Sequence, residues 1–539
     1  MTSKDSRSYA SFCTPILLIL FFVQFALSFS PHALAWDGVF YYTYTRSAVC
    51  DGDLRLGNDL VLSYETTRAH DFVAKRFEED LTSTGRVVNL FAIGTSLLWL
   101  PWFTLAYGLA RLAGLAGLGP PGITCYEWPF VWGMATVTCV YGWISILVGF
   151  RLVKQFMSDW AALIASATVM FTTPLCYYQF REPFYAHAAS AMTTALFVAA
   201  WWRSTKRGDS SPSSAFLLGA LGGLAALVRS QNVAYLMLPG LTALSTGWSA
   251  LRERNRQVVW HSFLHILSVG SSALLVLTLQ FSVWHIFYGQ PLTVPQGAAF
   301  MVWSAPWTWH VLFSTFHGLL PWMPLTLPAI IGLALLTRRA PKLSIPLLIV
   351  LFLQVYINGC ARDWFGAGGY GARRFSNVLI ILLIGYTALL DWRKERWYRL
   401  LIIGFSGFLV LHQWLILRYG FADQIGGHVV SMAPTYEWHA DSIAQFARQL
   451  LGYIPLAIQD PVQTLILPAS PLEMAHTPLS LLARQILLLT GVLGTIYLLQ
   501  AGWRRLARHY PQSTSTRRFL LICVVALITL ADWWILKHA

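Results

Sequence analysis

Long apolar runs recur along the chain, broken by short polar segments that carry most of its charges. About 20 mostly apolar residues suffice for a helix to cross a bilayer, and fewer when it is packed inside a bundle. Thirteen runs meet this reading, near residues 12–31, 128–150, 160–179, 186–202, 214–228, 231–247, 262–288, 318–336, 343–359, 376–390, 400–417, 486–502 and 519–536. The runs at 214–228 and 231–247 are short and share Arg229 at their junction. A further apolar stretch, Val87 to Leu118, has Leu98-Trp99-Leu100-Pro101-Trp102-Phe103 at its middle. Counting it as a span would invert everything downstream, so the charges decide its placement. The two longest pieces between spans are 36–127 and 418–485. Within the first, Val73, Phe77 and Leu81 repeat at helical spacing beneath a charged face. Within the second, Ile443, Phe446, Leu450, Leu451 and Ile454 do the same.

Composition agrees with a membrane bundle. Of 539 residues, 56% are hydrophobic and 12% charged, and the mean hydropathy is +0.54. No soluble domain of this size hides so much apolar surface, and disordered chains, disulfide scaffolds and coiled coils are excluded with it. The net charge of +14 would ordinarily point to nucleic acid or another acidic partner. Its distribution points elsewhere. With Lys4 and Arg7 inside and 87–118 not crossing, the inner segments hold 22 Lys and Arg against six acids, a balance of +16. The remainder holds 16 basic and 18 acidic residues, a balance of −2. This sorting is the positive-inside rule, and no nucleic-acid partner is needed to explain it. On this reading 87–118 lies on the outer surface as an amphipathic or re-entrant helix. The N-terminal run ends in Ala33-Leu34-Ala35, like a cleavable signal, but is read as a retained first helix. The expected organisation is a transmembrane catalytic region, 1–417, containing the first outer loop 36–127, then the large outer loop 418–485, then C-terminal helices in 486–539.

The seven cysteines form no framework and show no metal spacing. Cys50, Cys125, Cys176 and Cys360 fall on or near the outer face, where oxidation is possible. Candidate chemistry gathers on that same face. Trp36-Asp37-Gly38-Val39-Phe40-Tyr41-Tyr42 puts a carboxylate at the membrane boundary among aromatics, as a base or as a helix cap. Asp51-Gly52-Asp53 hints at calcium, but the remaining loop ligands are absent. Arg46, Asp53 and Arg86 follow in the same loop. Arg181-Glu182-Pro183-Phe184-Tyr185-Ala186-His187, between two apolar helices, marks either a polar cavity or merely the membrane surface. Arg229 is costly at membrane depth and calls for a partner or an anionic ligand. A glycine-rich segment, Arg362 to Phe375, ends in Arg373 and Arg374; paired arginines suit a phosphate, or lipid headgroups. It is no P-loop. The loop 289–316 holds Trp303, Trp307, Trp309 and His310, which suit sugar faces, lipid or interfacial anchoring. His428, Glu437, His439 and Asp441 complete the polar residues of the late loop.

With these motifs in order on one side, the chain resembles the GT-C membrane glycosyltransferases, in the branch of protein O-mannosyltransferases and the lipid A aminoarabinose transferase. The likeness lies in Asp37 after the first span, Tyr41 or Tyr42, Arg46 and Gly52-Asp53, then Arg86 before a surface helix, Glu182-Pro183-Phe184, and Arg229 between short helices. The family's second acid is Gly38 here. The resemblance implies an all-α polytopic fold of about 13 helices, with amphipathic juxtamembrane helices in the first outer loop. It implies transfer of a sugar from a polyprenyl-phosphate donor to a hydroxyl of a glycan, lipid or protein. Inverting displacement would occur on the periplasmic face of a bacterial inner membrane, with no metal or cofactor. Asp37 and Glu182 would be the catalytic carboxylates, with Arg46, Asp53, Arg86, His187, Arg229, Arg373 and Arg374 binding substrate. A lipid or solute transporter is the rival from another class, and an O-antigen ligase or polymerase is a second. Thirteen spans with an inner N-terminus place Ala539 outside. A tag at Ala539 should therefore be accessible in intact spheroplasts, and protection there would defeat the span count.

Overall fold

The computed structural model describes residues 3–29, 34, 36–67, 81–118, 122–366, 369–421 and 440–459. Among them the chain is helical with only two isolated β-bridges. Helix α1 (Ser3–Ser28) covers most of the first apolar run. The expected spans at 486–502 and 519–536, the amphipathic segment around Val73 and Phe77, and His428, Glu437 and His439 lie outside the described residues.

The segment after the first apolar run opens with α2 (Asp37–Arg46) and a π-helical turn, Ser47–Asp51, followed by α3 (Leu56–Thr67) and α4 (Gly94–Leu115). Then come α5 (Trp128–Val153), α6 (Asp159–Phe171), α7 (Leu175–Phe180), α8 (His187–Arg207), α9 (Pro212–Val228), a 3-10 segment Ser230–Leu236, α10 (Met237–Arg252) and α11 (Arg256–Tyr288). After the aromatic loop come α12 (Thr308–Phe313), α13 (Leu319–Trp322), α14 (Thr326–Leu336) and α15 (Pro341–Cys360). A second 3-10 segment, Arg373–Val378, leads into α16 (Leu379–Leu390) and α17 (Arg396–Leu415). Helix α18 (Ala440–Gln459) follows, and buries Phe446 and Leu450 of the pattern read from the sequence. Five helices among the described residues are long and apolar enough to cross a membrane: Trp128–Val153, Arg256–Tyr288, Pro341–Cys360, Arg373–Leu390 and Arg396–Arg418. Shorter apolar helices include Asp159–Phe171, Pro212–Val228 and Thr326–Leu336.

Packing follows from small residues. Helices α9 and α11 cross at Gly219 and Gly223, four residues apart on one face. A Cβ at Gly219 would strike the Val269 carbonyl, and one at Gly223 would sit 2.8 Å from the Ala273 carbonyl. Backbones can approach this closely only without side chains. Polar residues then fix register. Asn232 Nδ2 donates to Ser190 Oγ of α8 and to the Ala225 carbonyl of α9, each at 2.9 Å. Asn377 Nδ2 donates to Asn232 Oδ1 at 2.8 Å, and Tyr235 and Thr194 hydroxyls both donate to the Asn377 carbonyl. All five side chains are buried. The network locks the two 3-10 segments to α8 and α9, and so fixes the bases of Arg229 and Arg373.

Helix α4 lies within 87–118, the stretch expected to form an amphipathic or re-entrant helix. It buries Gly94, Thr95, Ser96, Trp99 and Phe103 and leaves Trp102, Leu105, Leu109 and Leu112 exposed. Ser96 Oγ donates to the Tyr41 carbonyl at 2.6 Å and Thr45 Oγ1 to the Ser96 carbonyl at 3.1 Å, binding α4 to α2. The other side of α2 is held by a disulfide between Cys50 and Cys125, 75 residues apart. Around it, the Tyr42 hydroxyl donates to the Cys125 carbonyl at 2.6 Å, and Arg46 Nε donates to the Thr124 carbonyl at 3.0 Å.

A loop of this length makes the cross-link worth about 2–4 kcal/mol. Cys50→Ser and Cys125→Ser should each lower the thermal unfolding midpoint, and the double variant should match either single. Reduction should expose two further thiols to alkylation in the denatured wild type. An unchanged thiol count on reduction would refute the bond.

Candidate active site

Asp37 is the first residue of α2, and the chain reaches it through Trp36 in the left-handed region (φ 50°). A non-glycine residue rarely adopts this backbone, and here it turns the helix start sharply. Gly38 lies flat against the turn between α7 and α8: a Cβ there would come within 2.7 Å of Phe184 Cβ. The contact explains why glycine stands at 38, because any side chain there would push α2 off that turn. It also sets Asp37 beside Glu182.

Asp37 Oδ2 accepts from Arg373 NH1 at 3.0 Å, with the two side chains 27% and 13% exposed. Arg373 is held twice more. Its Nε donates to the Gly366 carbonyl at 3.0 Å, and its guanidinium lies 5.5 Å from the Tyr185 ring centroid. Arg374 pairs with Asp363. The Gly366 N–H closes the turn on the Asp363 carbonyl at 2.7 Å, so one turn serves both arginines.

Glu182 faces the same cluster. The Tyr177 hydroxyl donates to its Oε1 at 3.2 Å, while Oε2 is buried with no partner. Burial pushes the Glu182 carboxyl up to about 7, aided by Asp37 and opposed by Arg373 and the Tyr177 hydrogen bond. Such a group exchanges a proton near neutrality. Arg229 NH1 donates to His187 Nδ1 at 3.0 Å and lies 3.4 Å from the Arg373 carbonyl. A guanidinium only donates, so His187 Nδ1 is the acceptor and the ring is neutral. Burial draws Arg229 down to about 10, which leaves it charged at neutral pH. Ser376 Oγ lies 2.8 Å from His187 Nδ1, and the ring stacks on Tyr185 at 6.0 Å.

Asp37, Glu182, His187, Arg229, Arg373 and Arg374 thus converge. Arg46, Asp53 and Arg86 sit apart, within the segment 36–127. Arg46 NH1 donates to Asp51 and to the fully buried Asp59, each at 2.6 Å. Asp53 accepts from Ser47 Oγ at 2.8 Å and from the Arg55 N–H. Arg86 NH1 donates to the Leu54 carbonyl at 2.7 Å and lies over Phe287. Asp53 and Arg86 share a hollow of about 430 Å³ with Ala48, Gly52, Leu54 and Ile286. The structure adds Tyr177, Tyr185 and Ser376 to the constellation. Nothing in a linear pattern singles out these three, although Tyr185 belongs to the motif that carries Glu182. Among the described residues no three His, Cys, Asp or Glu side chains converge as metal ligands.

The helices share a polarity. Helix α8 begins at His187 and ends in Lys206 and Arg207. Helix α9 ends at Arg229, and α11 begins at the opposite, basic tip, Arg252 to Arg256. The site lies at one end of the bundle and the arginine-rich turns at the other.

No protein-family model matches the chain, and no curated protein does. Among solved structures it is similar to the archaeal oligosaccharyltransferase AglB from Archaeoglobus fulgidus, determined with an inhibitory peptide and a dolichol-phosphate. That match has 11% identity over 86% of this chain and 57% of the other, with a TM-score of 0.42. The chain thus spans little more than half of that protein. It is also similar to ArnT from Cupriavidus metallidurans bound to undecaprenyl phosphate, at 14% identity over 84% of this chain and 74% of the other, with a TM-score of 0.45.

A carboxyl raised in the fold is stabilising while protonated, and that stability is lost as pH climbs through its folded pKa. The wild-type melting point should therefore fall as pH rises from about 4.5, the unfolded value, to about 7, and level off above it. Glu182→Gln should flatten this window. An equal fall in the variant would show that Glu182 is not the group responsible.

Proposed function

We propose that this chain is a GT-C-type membrane glycosyltransferase that moves a sugar from a polyprenyl phosphate to an acceptor hydroxyl. The observation that carries the reading is the Asp37–Arg373 pair, with Arg229 and Arg374 beside it, at one end of an apolar bundle. A lipid phosphate needs donors, and its polyprenyl chain needs an apolar wall; the exposed face of α4 supplies such a wall.

In the free protein Arg373 holds the Asp37 carboxylate. A donor phosphate competes for that guanidinium and releases Asp37 towards the acceptor. Asp37 then takes the acceptor hydroxyl proton as its oxygen attacks the sugar C1. The C1–O bond to phosphate breaks on the opposite face, inverting the anomeric centre. The phosphate leaves with the electron pair, and Arg229, Arg373 and Arg374 stabilise the charge that develops on it. Glu182 and His187 orient the sugar or the acceptor.

Two features support the outer, periplasmic face as the site of transfer. The Cys50–Cys125 disulfide ties the π-helical turn after α2 to the loop before α5, and such bonds persist in oxidising compartments. The basic turns gather at the other end of the bundle, as cytoplasmic loops do.

The test is transfer by purified protein from a panel of polyprenyl-phosphate sugars. Asp37→Asn should lose about a hundredfold or more in turnover and should bind the donor more tightly, because the phosphate no longer competes with a carboxylate for Arg373. Arg373→Gln should weaken donor binding as well. Full turnover by Asp37→Asn would remove the base, and passage of intact lipid across the bilayer without sugar consumption would favour a flippase.

A further inference from the structure

We propose that His317 is a positioning residue of this site, holding the turn Asp363–Gly366 in the geometry that grips both arginines. His317 lies between α12 and α13 and is 5% exposed. Its Nδ1 lies 2.7 Å from the Phe365 carbonyl oxygen. A carbonyl only accepts, so the proton sits on Nδ1 and the tautomer is set. The ring is wedged against Phe316 at 4.4 Å and edge-on to Trp322 at 5.0 Å, which leaves little freedom to swing.

The turn it touches carries three obligations in four residues. The Asp363 carboxylate pairs with Arg374. The Phe365 carbonyl takes the His317 proton. The Gly366 carbonyl takes Arg373 Nε. Gly366 sits at φ +72° with its N–H on the Asp363 carbonyl. A glycine at that corner is the softest joint in the turn. His317 pins the peptide immediately before it. Without that bond the Gly366 carbonyl loses the restraint that aims it at Arg373. A further backbone bond, Arg362 N–H to the Phe300 carbonyl at 3.0 Å, anchors the segment upstream but does not reach the glycine.

The role deepens the reading above, because it acts through arginines assigned to the lipid phosphate. Asn places its amide nitrogen where His places Nδ1, and Gln places its own near Nε2. Full-length protein in nanodiscs would be compared as wild type, His317→Asn and His317→Gln. The readouts are undecaprenyl-phosphate affinity, amide exchange of the peptide spanning 361–366, and the melting point. His317→Gln should weaken undecaprenyl-phosphate binding about tenfold, the cost of one lost hydrogen bond, and should speed exchange. His317→Asn should stay near wild type in both. In an Arg373→Lys background, which has no Nε to hold, the penalty of His317→Gln should largely vanish. Wild-type affinity and exchange in His317→Gln would overturn the proposal, as would equal losses in Asn and Gln variants with unchanged melting. A wild type that ignores undecaprenyl phosphate would defeat the functional reading, and the exchange comparison would still decide the role of His317.

Discussion

The ion pair between Asp37 and Arg373 joins residues 336 apart in sequence, and the arrangement of the candidate site depends on it. Each partner arrives by a separate route. Asp37 is delivered by α2, pressed onto the turn at Phe184 by the bareness of Gly38 and braced on its flank by Ser96 and Thr45 of the α4 contact. Arg373 is delivered by the segment before α16, which the Asn232–Asn377 network ties to α8 and α9. The pair is neither fully wet nor fully dry. A surface pair would be worth little, and a sealed one would be too costly to open. At 27% and 13% exposure it can be broken by a competing anion without stranding either charge in a dry interior.

Charge imbalance around the pair is its second constraint. Arg229, Arg373 and Arg374 meet Asp37 and Asp363, and Glu182 is raised to about 7 and so carries its charge only in part at neutral pH. Arg229 donates to the neutral ring of His187 and lies close to the Arg373 carbonyl oxygen. Nearby positive charge is stabilised by hydrogen bonds to neutral acceptors, which keeps the site cationic overall. An arginine fork in such surroundings matches a phosphate better than a point charge would.

Much of this was legible in the sequence, where physical cost leaves a mark in one dimension. Apolar length located the helices: 128–150 became Trp128–Val153, and 262–288 became the end of Arg256–Tyr288. Arg229 stood out because an arginine between short apolar helices needs a reason, and it does join the cluster. What stayed hidden depends on pairing across distance. Arg46 reads like a ligand for substrate, yet its partners Asp51 and Asp59 are near neighbours whose burial no spacing reveals. Tyr177 looks like one more aromatic in an apolar run until its hydroxyl is seen on Glu182. His317 sits just before an apolar run and carries no motif, and its importance comes only from a carbonyl 48 residues away.

The departure at Gly38 is where sequence and geometry inform each other most. A family comparison alone reads the missing second acid as a loss. The packing gives it another meaning: with Phe184 Cβ so close, position 38 has no room for any side chain. The second carboxylate of the site comes from across that same contact, as Glu182, two residues before the phenylalanine that excludes an acid at 38. Its unpaired Oε2 and raised pKa show an environment that a second acid on α2 would have made still more costly. The two carboxylates come from separate elements that meet at one Gly–Phe contact, and they meet different surroundings: Asp37 is paired with Arg373, while burial lets Glu182 hold a proton near neutrality.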